Sequence, residues 1–290
     1  MFNVFVDDID TVLHSDVKIK KFADDTKLYI VYKANEAAAA TLKLQASLDA
    51  LSIWCTRWLM QLNVSKCNVM YFGNHNPITP YLLNANTLER TTKTRDLGVI
   101  VSDNGQVSQH CLTISSNARR LTGMMLRTFR SRKRTVIVPL LKSIIRPTLE
   151  YATPVWNPVL LKDIAEIESV QRKLTKCIQG LSGLPYADRL QRLGLPTLAT
   201  RRLYFDMLEC YKIVHSLIRC DCHQVLKLST LNTRGSNCLL TTTLPPARLN
   251  VRQHFFVARA LRQWNTLPID ILQLETYSKF KAALRKHLNV

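Results

Sequence analysis

The chain has 290 residues, with 47% hydrophobic residues and forty Lys and Arg against twenty-one Asp and Glu, a formal net charge of +19. That length allows one large core or two smaller ones. The charge favours a polyanionic partner, nucleic acid first and an acidic membrane surface as its rival. No run of about eighteen apolar residues exists, so no membrane span is expected. Met1–Asp10 holds three acids and no basic residue, which excludes a secretory signal. The eight Cys are scattered, so the expected setting is intracellular, nuclear or cytoplasmic, with free thiols.

The first strong local pattern is Val17–Tyr32. Two strand-forming arms, Val17–Phe22 and Lys27–Tyr32, flank Ala23-Asp24-Asp25. Adjacent carboxylates at a hairpin tip repel each other and invite a cation, and hard divalent ions such as Mg²⁺ prefer oxygen ligands. The same pair also suits an ordinary polar turn. Residues 36–60 read as a helix, because Leu44, Leu48, Leu51, Cys55 and Trp58 follow a 3.6-residue period. Trp54 and Trp58 are expected to pack against the sheet. Asn63 and Ser65 break that helix, and Cys67–Phe72 reads as a strand. Residues 73–80 are turn-rich. Tyr81–Leu88 and Thr94–Val101 read as strands, with a domain boundary near Gly105.

The charge then changes character. Between Asn104 and Leu149 there are nine Lys or Arg and no acid. Residues 107–130 carry an apolar helical stripe of Ile114, Ala118, Leu121, Met125 and Phe129. Arg119, Arg120, Arg127 and Arg130 fall opposite that stripe. Such a helix can dock one face on the protein and offer the other to phosphates. Arg132, Lys133 and Arg134 extend the basic surface, in a run that also resembles a nuclear-import signal. An ordinary solvated face would mix both signs.

Residues 135–180 read as further helices, with Pro154 and Pro158 marking a connector. Ile167, Val170, Leu174 and Ile178 form the stripe of one helix, and Gly180–Gly183 ends it. Residues 198–218 read as another. Cys210, His215, Cys220, Cys222 and His223 match no strong zinc-binding spacing, so zinc is not expected. Residues 227–250 read as a linker or irregular hairpin. From Val251 two helices are expected, one ending at Trp264–Pro268 and one lined by Phe280, Leu284 and Leu288.

Phe22-Ala-Asp-Asp-Thr-Lys-Leu28 resembles the metal-binding box of reverse transcriptases from non-LTR retrotransposons. Leu62-Asn-Val-Ser-Lys-Cys67 and Thr94-Arg-Asp-Leu-Gly-Val99 resemble the family's next two boxes, in the same order. Leu190–Leu198, Arg201-Arg202-Leu203, Tyr211-Lys212-Ile213, Phe255-Phe256 and Trp264-Asn265 are similar to its regions further on. Phe2–Ile9 resembles the helix that follows the family's glycine box. The resemblance implies RNA-directed DNA polymerisation, with an RNA template, a DNA primer and dNTP, assisted by two Mg²⁺ ions. Asp24 is then a direct metal ligand, Asp25 a supporting one, and Lys66 a cation near the incoming triphosphate. It also implies that the fingers and upstream palm, with a third metal-binding Asp, lie outside this sequence, so that the fragment alone is inactive. The expected fold is α+β: a partial palm over 1–104, a helical thumb over 105–180 and a helical C-terminal region over 181–290. The alternative is a non-catalytic nucleic-acid-binding remnant.

Overall fold

The computed structural model describes residues 6–73, 76–218, 220, 226–229, 238–243 and 250–290. Of the segments singled out above, 2–5, Cys222, His223 and most of the 227–250 linker lie outside the described residues. The fold mixes helices with small sheets, as an α+β chain should. The chain divides into two compact units. The first holds residues 6–95 and 101–104, and the second residues 96–100 and those from 105 onward.

The first unit opens with a 3₁₀ turn, Asp7–Val12. Strands β1 (Lys18–Phe22) and β2 (Asp25–Tyr29) follow as an antiparallel hairpin. Helix α1 (Ala37–Arg57) buries Leu48, Leu51, Trp54 and Cys55 against Val6 and Ile9 on one side and Tyr81, Leu83 and Leu88 on the other. Each large apolar side chain so buried contributes about 1.5–3 kcal/mol. Trp58 lies just past the helix end, partly exposed, with its ring centroid 6.1 Å from that of Trp54.

The remaining strands are shorter than their sequences implied. β3 (Asn68–Val69) pairs in parallel with β6 (Glu89–Arg90). The run Tyr81–Leu88 is itself a hairpin of β4 (Leu82–Leu83) and β5 (Asn86–Thr87). Asn84 and Ala85 both take left-handed backbone, which gives the twist a two-residue hairpin turn needs. The run Thr94–Val101 is likewise two strands, β7 (Lys93–Asp96) and β8 (Val99–Ser102), turning at Leu97-Gly98.

The second unit is mainly helical. α2 (Ser108–Thr128) and α6 (Leu161–Lys176) pack Cys111, Ile114, Ala118 and Met125 together with Ile167, Val170 and Leu174. Between them run α3 (Arg134–Leu140), a π turn (Leu141–Ile145), α4 (Arg146–Glu150) and α5 (Thr153–Trp156). Pro139 and Pro147 flank the π turn, and each removes an N–H from the helical ladder. The expected connector around Pro154 contains the short helix α5, because Pro is tolerated in a first turn. α7 (Tyr186–Leu193) ends on Gly194 in left-handed backbone. α8 (Leu198–Val214) is capped by the Thr197 hydroxyl, which accepts from Thr200 N at 3.0 Å.

A second apolar cluster closes the unit. Strands β9 (Leu226–Leu228) and β10 (Leu240–Thr242) pair antiparallel. Helices α9 (Asn250–Gln253), α10 (Phe256–Trp264), α11 (Ile269–Leu272) and α12 (Tyr277–His287) follow. Phe280 stacks on Tyr211 at 4.4 Å and on Trp264 at 5.5 Å between ring centroids. Asn265 docks on β10: its carbonyl oxygen accepts from Leu240 N and its amide donates to Leu240 O.

Candidate functional site

The register of the first hairpin pairs Phe22 with Asp25, leaving Ala23-Asp24 as a two-residue turn. Ala23 takes left-handed backbone at φ 51°. Asp24 therefore sits in the turn and Asp25 opens β2. Side chains alternate along each strand. The partners Ile19 and Leu28 are half-buried against the Val6 cluster, so Asp25 projects from the opposite face with Phe22, Lys20 and Lys27. Both carboxylates are exposed. The hairpin is tied down from behind, where Lys21 Nζ donates to Asp10 Oδ1 at 2.6 Å and to the carbonyls of Val6 and Asp7 at 3.1 Å. Among the described residues, no cluster of three or more His, Cys, Asp or Glu forms a metal-binding set. Lys66 is exposed on a separate 3₁₀ turn, Val64–Lys66.

The basic residues separate into two groups. Arg119 binds Glu166 Oε1 at 2.6 Å and donates to Ser169 Oγ at 2.9 Å, so it joins α2 to α6. Arg132 folds back on the end of α2, donating to the Leu126 carbonyl at 2.6 Å and to that of Phe129. Arg134 donates to the carbonyls of Arg192 and Leu193 at the end of α7. Arg120, Arg127, Arg130 and Lys133 are exposed. Arg130 lies past the end of α2 and so does not share its helical face. The stretch without acids is thus not without them in space, since α6 supplies Asp163 and Glu166 to α2.

Of the residues weighed for zinc, Cys210 is buried in the second apolar cluster and His215 stacks on Tyr211 at 4.0 Å. Burial lowers the His215 pKa. Sequence reading missed the basic character of α12, where Lys279, Lys281, Arg285 and Lys286 stand exposed. The signal was present, because the last fifteen residues contain no acid.

Two curated proteins are similar to this chain, both named RNA-directed DNA polymerase from mobile element jockey. The Drosophila melanogaster protein is 27% identical over 199 residues, 65% of this chain and 21% of the relative. That of Drosophila funebris is 27% identical over 169 residues, 57% of this chain and 18% of the relative. The matched region thus spans about a fifth of either relative. No family model matches, and no solved structure matches significantly. The exposed Asp-Asp hairpin, the ordered boxes after it and these two relatives agree in kind: the chain is similar to reverse transcriptases of non-LTR retrotransposons.

Proposed function

We propose that this chain supplies the Asp-Asp hairpin and a nucleic-acid-gripping helical region of an RNA-directed DNA polymerase, and that by itself it binds a primer–template without extending the primer. The observation that carries this reading is the pair Asp24-Asp25, exposed at a two-residue turn, in a chain similar to polymerases of that name. The donor set suits Mg²⁺, a hard ion that takes carboxylate oxygens and completes its shell with water and substrate phosphates. Asp24 and Asp25 would hold it. When bound beside a nucleotide, the ion stabilises charge on the attacking and leaving oxygens.

The chain's own residues have simpler tasks. Asp24, in the turn, is the direct ligand, and Asp25 adds field and a second oxygen donor. Lys66 offsets charge on a triphosphate. Arg120, Arg127, Arg130 and Lys133 contact backbone phosphates, which gives affinity with little sequence preference. Two exposed carboxylates alone are too few protein ligands to fix two ions, so positioning for catalysis is incomplete.

Primer extension on an RNA template with dNTP and Mg²⁺, run beside a filter-binding assay, tests both halves. Binding without extension is expected for the wild-type chain and for Asp24→Ala. Extension by the wild type that vanishes in Asp24→Ala would overturn the inactivity, and absence of primer–template binding would overturn the gripping role.

A further inference from the structure

The second unit holds a cleft of about 390 Å³ formed by α5, α8 and α12, well away in sequence from the Asp-Asp hairpin and α2. Its size lies in the range of small-ligand sites, roughly 300–1,000 Å³. Its chemistry is uneven in an informative way. Phe205 and Tyr277 are half-buried rings that line it. Arg201 lies 5.3 Å from the Phe205 ring centroid and is itself held by Glu150, with one contact at 2.7 Å, so the ring is braced from one side.

Cations flank the rings. Lys281 lines the cleft and is exposed, while Lys212 is paired with Glu209. Lys281 belongs to α12, a helix without a single acid. Thr153 also lines the cleft. It is fully buried, and its hydroxyl has no hydrogen-bond partner among the described residues. At 0% exposure that hydroxyl is closed off from the cleft, so the rings and Lys281 carry the site. Glu150 and Glu209 also line the cleft but are paired, with Arg201 and Lys212, so Lys281 is the lining charge left to meet a phosphate beside the rings, a pairing that suits a base with its phosphate.

We propose that this cleft seats one base of a single-stranded nucleic acid, stacked on Phe205 or Tyr277, with the flanking phosphates on Lys281 and, one turn further along α12, Arg285. A free mononucleotide offers the same ring and phosphate, and a competition arm separates the two. The site is independent of the hairpin and of α2, so it can fail while the polymerase reading stands, and the reverse.

The test uses the full chain carrying Arg120→Glu and Arg127→Glu, which removes the α2 contribution. A photoreactive thiouridine octamer should crosslink to peptides containing Phe205 or Tyr277. Lys281→Glu should weaken its binding about tenfold, a loss of the size expected when a base-and-phosphate contact is broken. Phe205→Leu, which keeps apolar volume in the core, should reduce crosslinking with an unchanged circular dichroism spectrum. Crosslinks confined to other peptides, or unchanged affinity in Lys281→Glu, would overturn the proposal. Displacement of the octamer by AMP at equal concentration would also overturn it, assigning the cleft to a free nucleotide.

Discussion

At the scale of single residues, the second unit carries an unusual load of buried ionisable groups. Cys111 is fully buried, and burial with the nearby Asp163 carboxylate pushes its thiol up to about 12 from an ordinary value of 9.0. Burial and then Glu168 push the Tyr186 phenol above its ordinary range. Burial, with Arg201 close by, brings the Arg146 guanidinium down to about 10. Raised acids and a lowered base act in opposite senses. A thiol with a raised folded pKa contributes stability that is fully present below the unfolded value and is lost as pH rises through the folded one. Between pH 9 and 10 the unfolded chain therefore ionises Cys111 first, costing about 1 kcal/mol by pH 10. Urea midpoints followed from pH 8 to 10 should fall in the wild type and fall less in Cys111→Ala. Equal slopes in the two proteins would show that Cys111 is not the group responsible.

At the scale of elements, α2 combines two jobs that its sequence does not separate. Arg132 satisfies carbonyls at the helix end that have no partner within the helix. Arg132→Ala should lower stability by about 1 kcal/mol and barely change nucleic-acid binding. Arg120→Glu with Arg127→Glu should do the reverse, with thermal melting and filter binding as the paired measurements. Arg119→Glu would face Glu166 and mainly destabilise the unit, so it is a poor probe of binding. The apolar stripe of α2 was legible because Ile114, Ala118 and Met125 follow the helical period. The partners of Arg119, Arg132 and Arg134 were not, because an acid or a carbonyl from another helix leaves no mark in the local sequence. The Asp-Asp hairpin was legible from its flanking strand formers. The hairpins at Asn84-Ala85 and Leu97-Gly98 were each read as one strand, although Asn84, Asn86 and Gly98 are turn formers that marked them. Trp58 was placed inside the helix because periodicity alone does not say where a helix stops.

At the scale of the whole molecule, the excess of nineteen positive charges sets how binding responds to salt. If the four exposed cations Arg120, Arg127, Arg130 and Lys133 each neutralise a phosphate, the slope of log affinity against log salt should be about −3. Affinity would then fall roughly sixtyfold between 50 and 200 mM salt. A titration over that range with a slope near zero would remove these residues from the interface. A steeper slope would mean that further cations, such as those of α12, take part. Among the described residues no helix is long and apolar enough to cross a membrane.

The sheets have a further consequence. Each sheet among the described residues has two strands, so every strand lies at an edge, and the amides of Gln45 and Asn265 cover the outer sides of β4 and β10. Such edges invite pairing with another chain, and lysine is a common deterrent. β1 and β2 carry Lys18, Lys20, Lys21 and Lys27. These lysines oppose the addition of strands from one copy of the chain to another. Salt strong enough to release a nucleic acid therefore weakens the barrier to self-association, and the chain should stay dispersed best when its polyanion is bound or the ionic strength is low.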